Sequence, residues 1–118
     1  MNIEEFRDFC IQKYGVTEEL PFDENTLVFK VMGKMFALVD VDLFESVNLK
    51  CDPEKAIKLR EKYDAVTAGF HMNKKHWNTI EFDGSLSDQE IFHWVNHSYE
   101  LVVAKLPKKY REEINQNK

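Results

Sequence analysis

The sequence predicts a two-layer α+β fold, with helices on one side of an antiparallel sheet. Three observations carry that expectation. Two apolar runs, 27–31 and 35–41, alternate with a period of two and meet at Gly33. A strand-like segment gives way abruptly to a helical one at Cys51-Asp52-Pro53. Ser87 and Glu90 have capping-box spacing just ahead of a long helical stripe. Helices of this kind, packed on one face of a sheet, make a two-layer domain.

The elements follow in order. Ile3, Phe6, Cys10 and Tyr14 recur at helical spacing, which predicts a helix over 3–14 with Gly15 as its stop. Glu4 and Glu5 fall in its first turn, where free N–H groups favour negative charge. A loop with Pro21 and Asp23-Glu24-Asn25 comes next. In the first strand Leu27, Phe29 and Val31 alternate with Val28, Lys30 and Met32. In the second, Met35, Ala37, Val39 and Val41 alternate with Phe36, Leu38 and Asp40. Gly33 allows a tight hairpin between them. Both faces are apolar, so one is expected under helices and the other partly covered. A third strand is read at 46–51. Asp52 suits an N-cap and Pro53 the first helical position, which needs no donor. Ala56, Leu59 and Tyr63 then form a buried stripe. Residues 64–70 read as irregular or as a short extra turn, and 77–82 as a last strand. The final helix carries Ile91, Trp94, Val95, Ser98, Leu101 and Val102 on one broad face. It runs to about Lys105, with Pro107 ending it or starting a short last turn.

Composition sets the class. The chain has 118 residues, 43% hydrophobic and 31% charged, which suits one soluble domain over 1–118. No run approaches the roughly 18 apolar residues of a membrane span. The N-terminus shows no secretory pattern, so a cytoplasmic location is expected. Cys10 and Cys51 each sit among core-like residues and read as buried free thiols rather than a disulfide. The net charge of −5 is uneven: residues 1–25 hold seven acids and two bases, and the remainder fourteen of each.

Several strings resemble the MmcQ/YjbR family of small bacterial proteins. They are Gly33-Lys34-Met35-Phe36-Ala37-Leu38, Leu49-Lys50-Cys51-Asp52-Pro53-Glu54, and Gly69-Phe70-His71-Met72-Asn73-Lys74-Lys75-His76-Trp77-Asn78. Ser98-Tyr99-Glu100-Leu101-Val102 and Lys105-Leu106-Pro107 complete the resemblance, which spans about residues 28–109. It implies a compact fold similar to the frataxin/CyaY arrangement. It also implies a DNA-binding role, described for such proteins as a "double wing", and no assigned catalytic residue.

The residues themselves support a basic surface for nucleic acid. In His71–Asn78, Lys74 and Lys75 can contact phosphate, Asn73 and Asn78 can donate to phosphate or a base edge, and His76 and Trp77 can stack. The structural alternative makes Trp77 a core ring and Asn73 a turn clamp. Lys105, Lys108, Lys109 and Arg111 form a second basic string, which is also a favourable end to a helix. Lys34 in the hairpin and Lys50 extend the positive edge, although one lysine at the hairpin tip makes a poor wing. Weak DNA binding by phosphate neutralisation is the expectation, through Lys34, Asn73, Lys74, Lys75, His76, Asn78, Lys105, Lys108 and Lys109.

Two other readings stay open. One is a protein-interaction or adaptor module with an apolar patch around Phe22, Phe36 or Phe92. The other is a small-ligand or metal-binding protein, with His71, His76, Trp77 and Asn78 converging on a pocket. His93, His97 and Glu100 share a helix side and supply part of a metal site, but a solvated helix face explains them more simply. The spacing lacks the Glu of a His-Glu-x-x-His hydrolase. The four glycines are scattered, no Cys-x-x-Cys occurs, and no nucleophile context is present. No cofactor or enzymatic reaction is therefore expected.

Overall fold

The computed structural model describes residues 1–69 and 72–117. The order is α1 (Ile3–Ile11), β1 (Val16–Glu19), β2 (Thr26–Val31), β3 (Lys34–Asp40), β4 (Ser46–Lys50), α2 (Pro53–Lys62), β5 (Val66–Ala68), β6 (Trp77–Glu81), α3 (Asp88–Ala104) and α4 (Lys108–Gln116). The strands form one six-stranded sheet in the order β1-β2-β3-β4-β6-β5. Every neighbouring pair is antiparallel. The two-layer α+β expectation holds, because Phe6 and Cys10 of α1, Ala56 and Leu59 of α2, the buried stripe of α3 and Ile114 of α4 join one core with the sheet.

Local chemistry explains the helix boundaries. The Asn2 side chain accepts from the Glu5 N–H at 2.9 Å and opens α1. Asp52 accepts from the Lys55 N–H and Pro53 starts α2. Ser87 and Glu90 form the full capping box of α3. The first helix ends at Ile11 rather than near Tyr14, and Gly15 turns the chain with φ of 78°. Met32 and Gly33 both take positive φ, 47° and 82°, so the β2–β3 hairpin closes in two residues. Such a primed turn matches the twist of the flanking strands.

Three elements differ from the sequence expectation. β1 lies in a stretch read as loop, because its edge position leaves only half-buried Val16 and Glu18 facing inward. β5 replaces the irregular segment, as three residues pairing with β6. α4 follows directly after Pro107, anchored by buried Ile114 and half-buried Tyr110.

A bulge in β3 re-sorts the hairpin faces. Phe29 pairs with Ala37 and Lys30 with Met35, so Phe36 is the extra residue. Phe36 therefore enters the core beside Ala37 and Val39, while Met35 joins Leu38 on the opposite face. The simple alternation read from sequence places these two side chains the other way round. Ser98 of α3 secures the irregularity. Its hydroxyl donates to the Phe36 carbonyl at 2.6 Å and accepts from the Lys50 N–H at 2.9 Å.

The two faces of the sheet are thus unequal. One is covered by the helices. The other carries a small cluster of Val28, Leu38 and Trp77 with Met35 and Met72 packed on it. Cys10 and Cys51 are buried free thiols, and burial pushes them up to about 12 and about 11.

Candidate nucleic-acid interface

Strand direction decides which charges meet. β2 ends, and β3 begins, at the Met32–Gly33 turn. β4 runs back to that same end, where Lys50 pairs with Trp77 at the start of β6. The C-terminus of α3 arrives there too. As a result Lys34, Lys50 and Lys105, from three separate elements, line one cleft of about 260 Å³. Met35, Trp77, Val102 and Leu106 supply its apolar walls. None of the three lysines has a carboxylate partner among the described residues. Lys50 is half-buried, and desolvation together with the nearby Lys105 charge holds its ammonium below the usual lysine range. An anion in the cleft would favour the charged ammonium and so offset both effects.

The loop before β6 borders this cleft. The Cys51 N–H donates to the His76 carbonyl at 2.8 Å, which ties the loop to the strand carrying Lys50. Lys74 and Lys75 are exposed in its turn. Asn73 clamps that turn, its Oδ1 accepting from the Lys75 N–H at 3.0 Å and its carbonyl accepting from the His76 and Trp77 N–H groups. Gly69 is required by close approach: a Cβ there would stand 2.7 Å from the Trp77 Cβ, and its N–H donates to the Trp77 carbonyl. Trp77 is buried on the helix-free face with Val28 and Leu38, and it also lines the lysine cleft.

Asn78, the next residue, necessarily faces the other way. It is buried beneath α2, where its Nδ2 donates to the Ala56 carbonyl at 3.3 Å. Its Oδ1 has no donor among the described residues. Trp77 and Asn78 therefore do not line one pocket. His71 lies outside the described residues, and His76 is half-buried in the loop. At the second basic string, Lys108 sits 3.8 Å from Glu112, and Lys109 lies over the Tyr110 ring. Lys105 is the member of that string that reaches the cleft.

The helix face of His93, His97 and Glu100 is used otherwise. His97 Nε2 accepts from the Asp52 N–H at 3.1 Å, linking α3 to the start of α2. Burial, and then the Lys55 charge, hold the imidazole below its ordinary range. Among the described residues no three His, Cys, Asp or Glu side chains gather as a metal site. Of the aromatic residues read as an apolar patch, Phe36 is fully buried and Phe92 stacks on Phe9. Phe22 is 65% exposed.

Phe22 stands at the edge of a larger cleft, one that sequence periodicity did not reveal. It is about 750 Å³ and lies on the helix-free face. Met35, Leu38 and Met72 provide apolar lining; Asp23, Thr26, Asp40, Asn48 and Asn73 provide polar groups. Met35 lines both clefts, so they adjoin. Only the β3 bulge turns Met35 to this side.

Fold and site together define a small α+β protein with a helix-backed antiparallel sheet and a lysine cleft at the hairpin end. The chain belongs to the YjbR (MmcQ/YjbR) family, whose model matches residues 11–101. It is 36% identical over 113 residues to the Escherichia coli K12 "Uncharacterized protein YjbR", covering 95% of this chain and 96% of that protein. The Bacillus subtilis protein YyaQ is 25% identical over 105 residues, covering 76% of this chain and 88% of that protein. Among solved structures, a Deinococcus radiodurans protein with a DUF419 domain superposes with a TM-score of 0.89 at 35% identity. That match covers 97% of this chain and 88% of that one. A Pseudomonas syringae protein gives 0.71 at 28% identity, over 86% of this chain and 98% of that one. Among the described residues, no helix is long and apolar enough to cross a membrane.

Proposed function

We propose that this protein is a bacterial, cytoplasmic nucleic-acid binder that acts by phosphate neutralisation and performs no reaction of its own. The observation that carries this is the convergence of Lys34, Lys50 and Lys105 on one cleft without carboxylate partners among the described residues. Holding the Lys105 charge near half-buried Lys50 costs free energy in the isolated protein, and a polyanion offsets that cost. Lys74 and Lys75, in the adjoining loop, extend the positive surface. Lys108 and Lys109 follow Lys105 in sequence, just beyond Pro107.

The test is titration of labelled DNA at about 50 mM and about 200 mM salt. Each phosphate neutralised contributes about −0.9 to the slope of log K against log salt. Lys34→Ala with Lys105→Ala, both at exposed positions, is expected to weaken binding and flatten that slope by roughly 2. Undetectable binding at the lower salt, or binding indifferent to salt and to both substitutions, overturns the reading.

A further inference from the structure

The helix-free cleft is polarised along β3. At one end stand Lys34 and, across the shared Met35 wall, Lys50 and Lys105. At the other stand Asp40 and Asp23. β3 has seven residues, so its ends lie roughly 20 Å apart at about 3.3 Å per residue. A ligand lying along this floor meets cationic groups at one end only. It is also longer than a single nucleotide.

The lining between those ends suits flat rings with hydrogen-bonding edges. Met35, Leu38 and Met72 form an apolar surface, and exposed Phe22 offers a ring face at its margin. The polar groups have capacity to spare. Asn48 Oδ1 accepts from the Thr79 hydroxyl and Asn73 Oδ1 from the Lys75 N–H, which leaves both amide nitrogens as donors for the cleft. Asp40 uses Oδ1 for the Asp42 and Leu43 N–H groups, and its Oδ2 has no partner among the described residues. Two amide donors and one carboxylate acceptor above an apolar floor match the edges of unpaired nucleobases.

We infer that the open sheet face is a platform for single-stranded nucleic acid, with bases across Met35, Leu38 and Met72 against Phe22 and phosphates led to Lys34, Lys50 and Lys105. The inference rests on the nucleic-acid reading of the lysine cleft and adds the strand state. Paired bases keep their faces stacked and hidden, so a duplex reaches the lysines but not the floor. Asp23 and Asp40 repel phosphate from the far end and so fix the direction in which the backbone leaves.

The experiment uses the full chain with a labelled single strand of about 12 nucleotides, the corresponding duplex, and a mononucleotide. The variants are Phe22→Ala, Met35→Glu, and the double Lys34→Ala/Lys105→Ala. The single strand is expected to bind at least about tenfold tighter than the duplex. Phe22→Ala is expected to erase that margin while leaving duplex binding unchanged, and Met35→Glu, which faces both clefts, to weaken single strand and duplex alike. Phe22 is exposed outside the core, so its substitution keeps the inference testable if Met35→Glu fails to fold. Equal binding of both forms, unaffected by Phe22→Ala but weakened by the double lysine variant, overturns the platform and leaves the lysine cleft standing. A mononucleotide that binds as well as the strand overturns the extended site. No binding of any form at low salt overturns both readings.

Discussion

The two ends of the sheet carry opposite charge and use it differently. At the end away from the hairpin, the carboxylates are occupied with building loops. Asp23 accepts from the Asn25 and Thr26 N–H groups, Asp40 from those of Asp42 and Leu43, and Asp83 from that of Ser85. Glu90 caps α3 and accepts from the Tyr63 hydroxyl. Asp88 lies 3.4 Å from the N-terminal amine. At the hairpin end Lys34, Lys50 and Lys105 have no such employment among the described residues. Charge at the acidic end stabilises the fold. Charge at the basic end has no carboxylate partner among the described residues, and it is that surplus which the proposed binding would use.

The largest expected effect comes from the hydroxyl that holds the basic end in shape. Ser98→Ala strands the Phe36 carbonyl and the Lys50 N–H inside the protein. Each buried unsatisfied group costs about 1–3 kcal/mol, so chemical denaturation is expected to show a loss in that range or above. A variant as stable as the parent would show that the bulge does not depend on Ser98.

Acid should act next, and in two windows. The folded-state pKa of His97 is lowered by burial, so the unfolded chain binds the proton more readily. Its contribution is complete above the ordinary histidine range and fades as pH falls through it. Glu18, Asp23, Asp83 and Glu90 are also held below their ordinary values, chiefly by hydrogen bonds from Arg7, Thr26, Ser85 and Tyr63 respectively. Their contribution is complete above the ordinary carboxylate range and is lost only below it. Thermal melts across pH are expected to show both steps, and His97→Ala should remove the upper one alone.

A smaller effect is expected at a single acidic loop. Asp40→Ala removes two side-chain-to-backbone hydrogen bonds from an exposed turn, which is expected to cost about 1 kcal/mol by denaturant titration. The smallest is at the basic end. Lys34→Ala and Lys105→Ala should each change stability by no more than about 0.5 kcal/mol, because no native ion pair among the described residues is lost. Marked destabilisation by either lysine variant would erase the contrast between the ends.

Much of this organisation is legible in the residues. Alternation located β2, β3, β4 and β6; Asp52-Pro53 and the Ser87–Glu90 pair marked two helix starts. β1 and β5 escaped because edge strands four and three residues long bury too little to leave a pattern. The four-residue spacing of Tyr110 and Ile114 was available as a signal for α4, but Pro107 masked it. For the candidate site, the lysines were visible as types but not as a group. Lys50 lies 16 residues from Lys34 and 55 from Lys105, and nothing local to any of them announces the other two.

The chain's own residues settled the class of fold, the starts of its first three helices, its hairpin turn and its family, since those follow from local periodicity, capping chemistry and short strings. Tertiary structure alone decided where the charges meet. Antiparallel pairing returns the end of β4 and the start of β6 to the hairpin turn, and α3 ends above them. An inserted residue at Phe36 then turns Met35 onto the open face. Those outcomes depend on register, and register is set by contacts between strands rather than by any one segment.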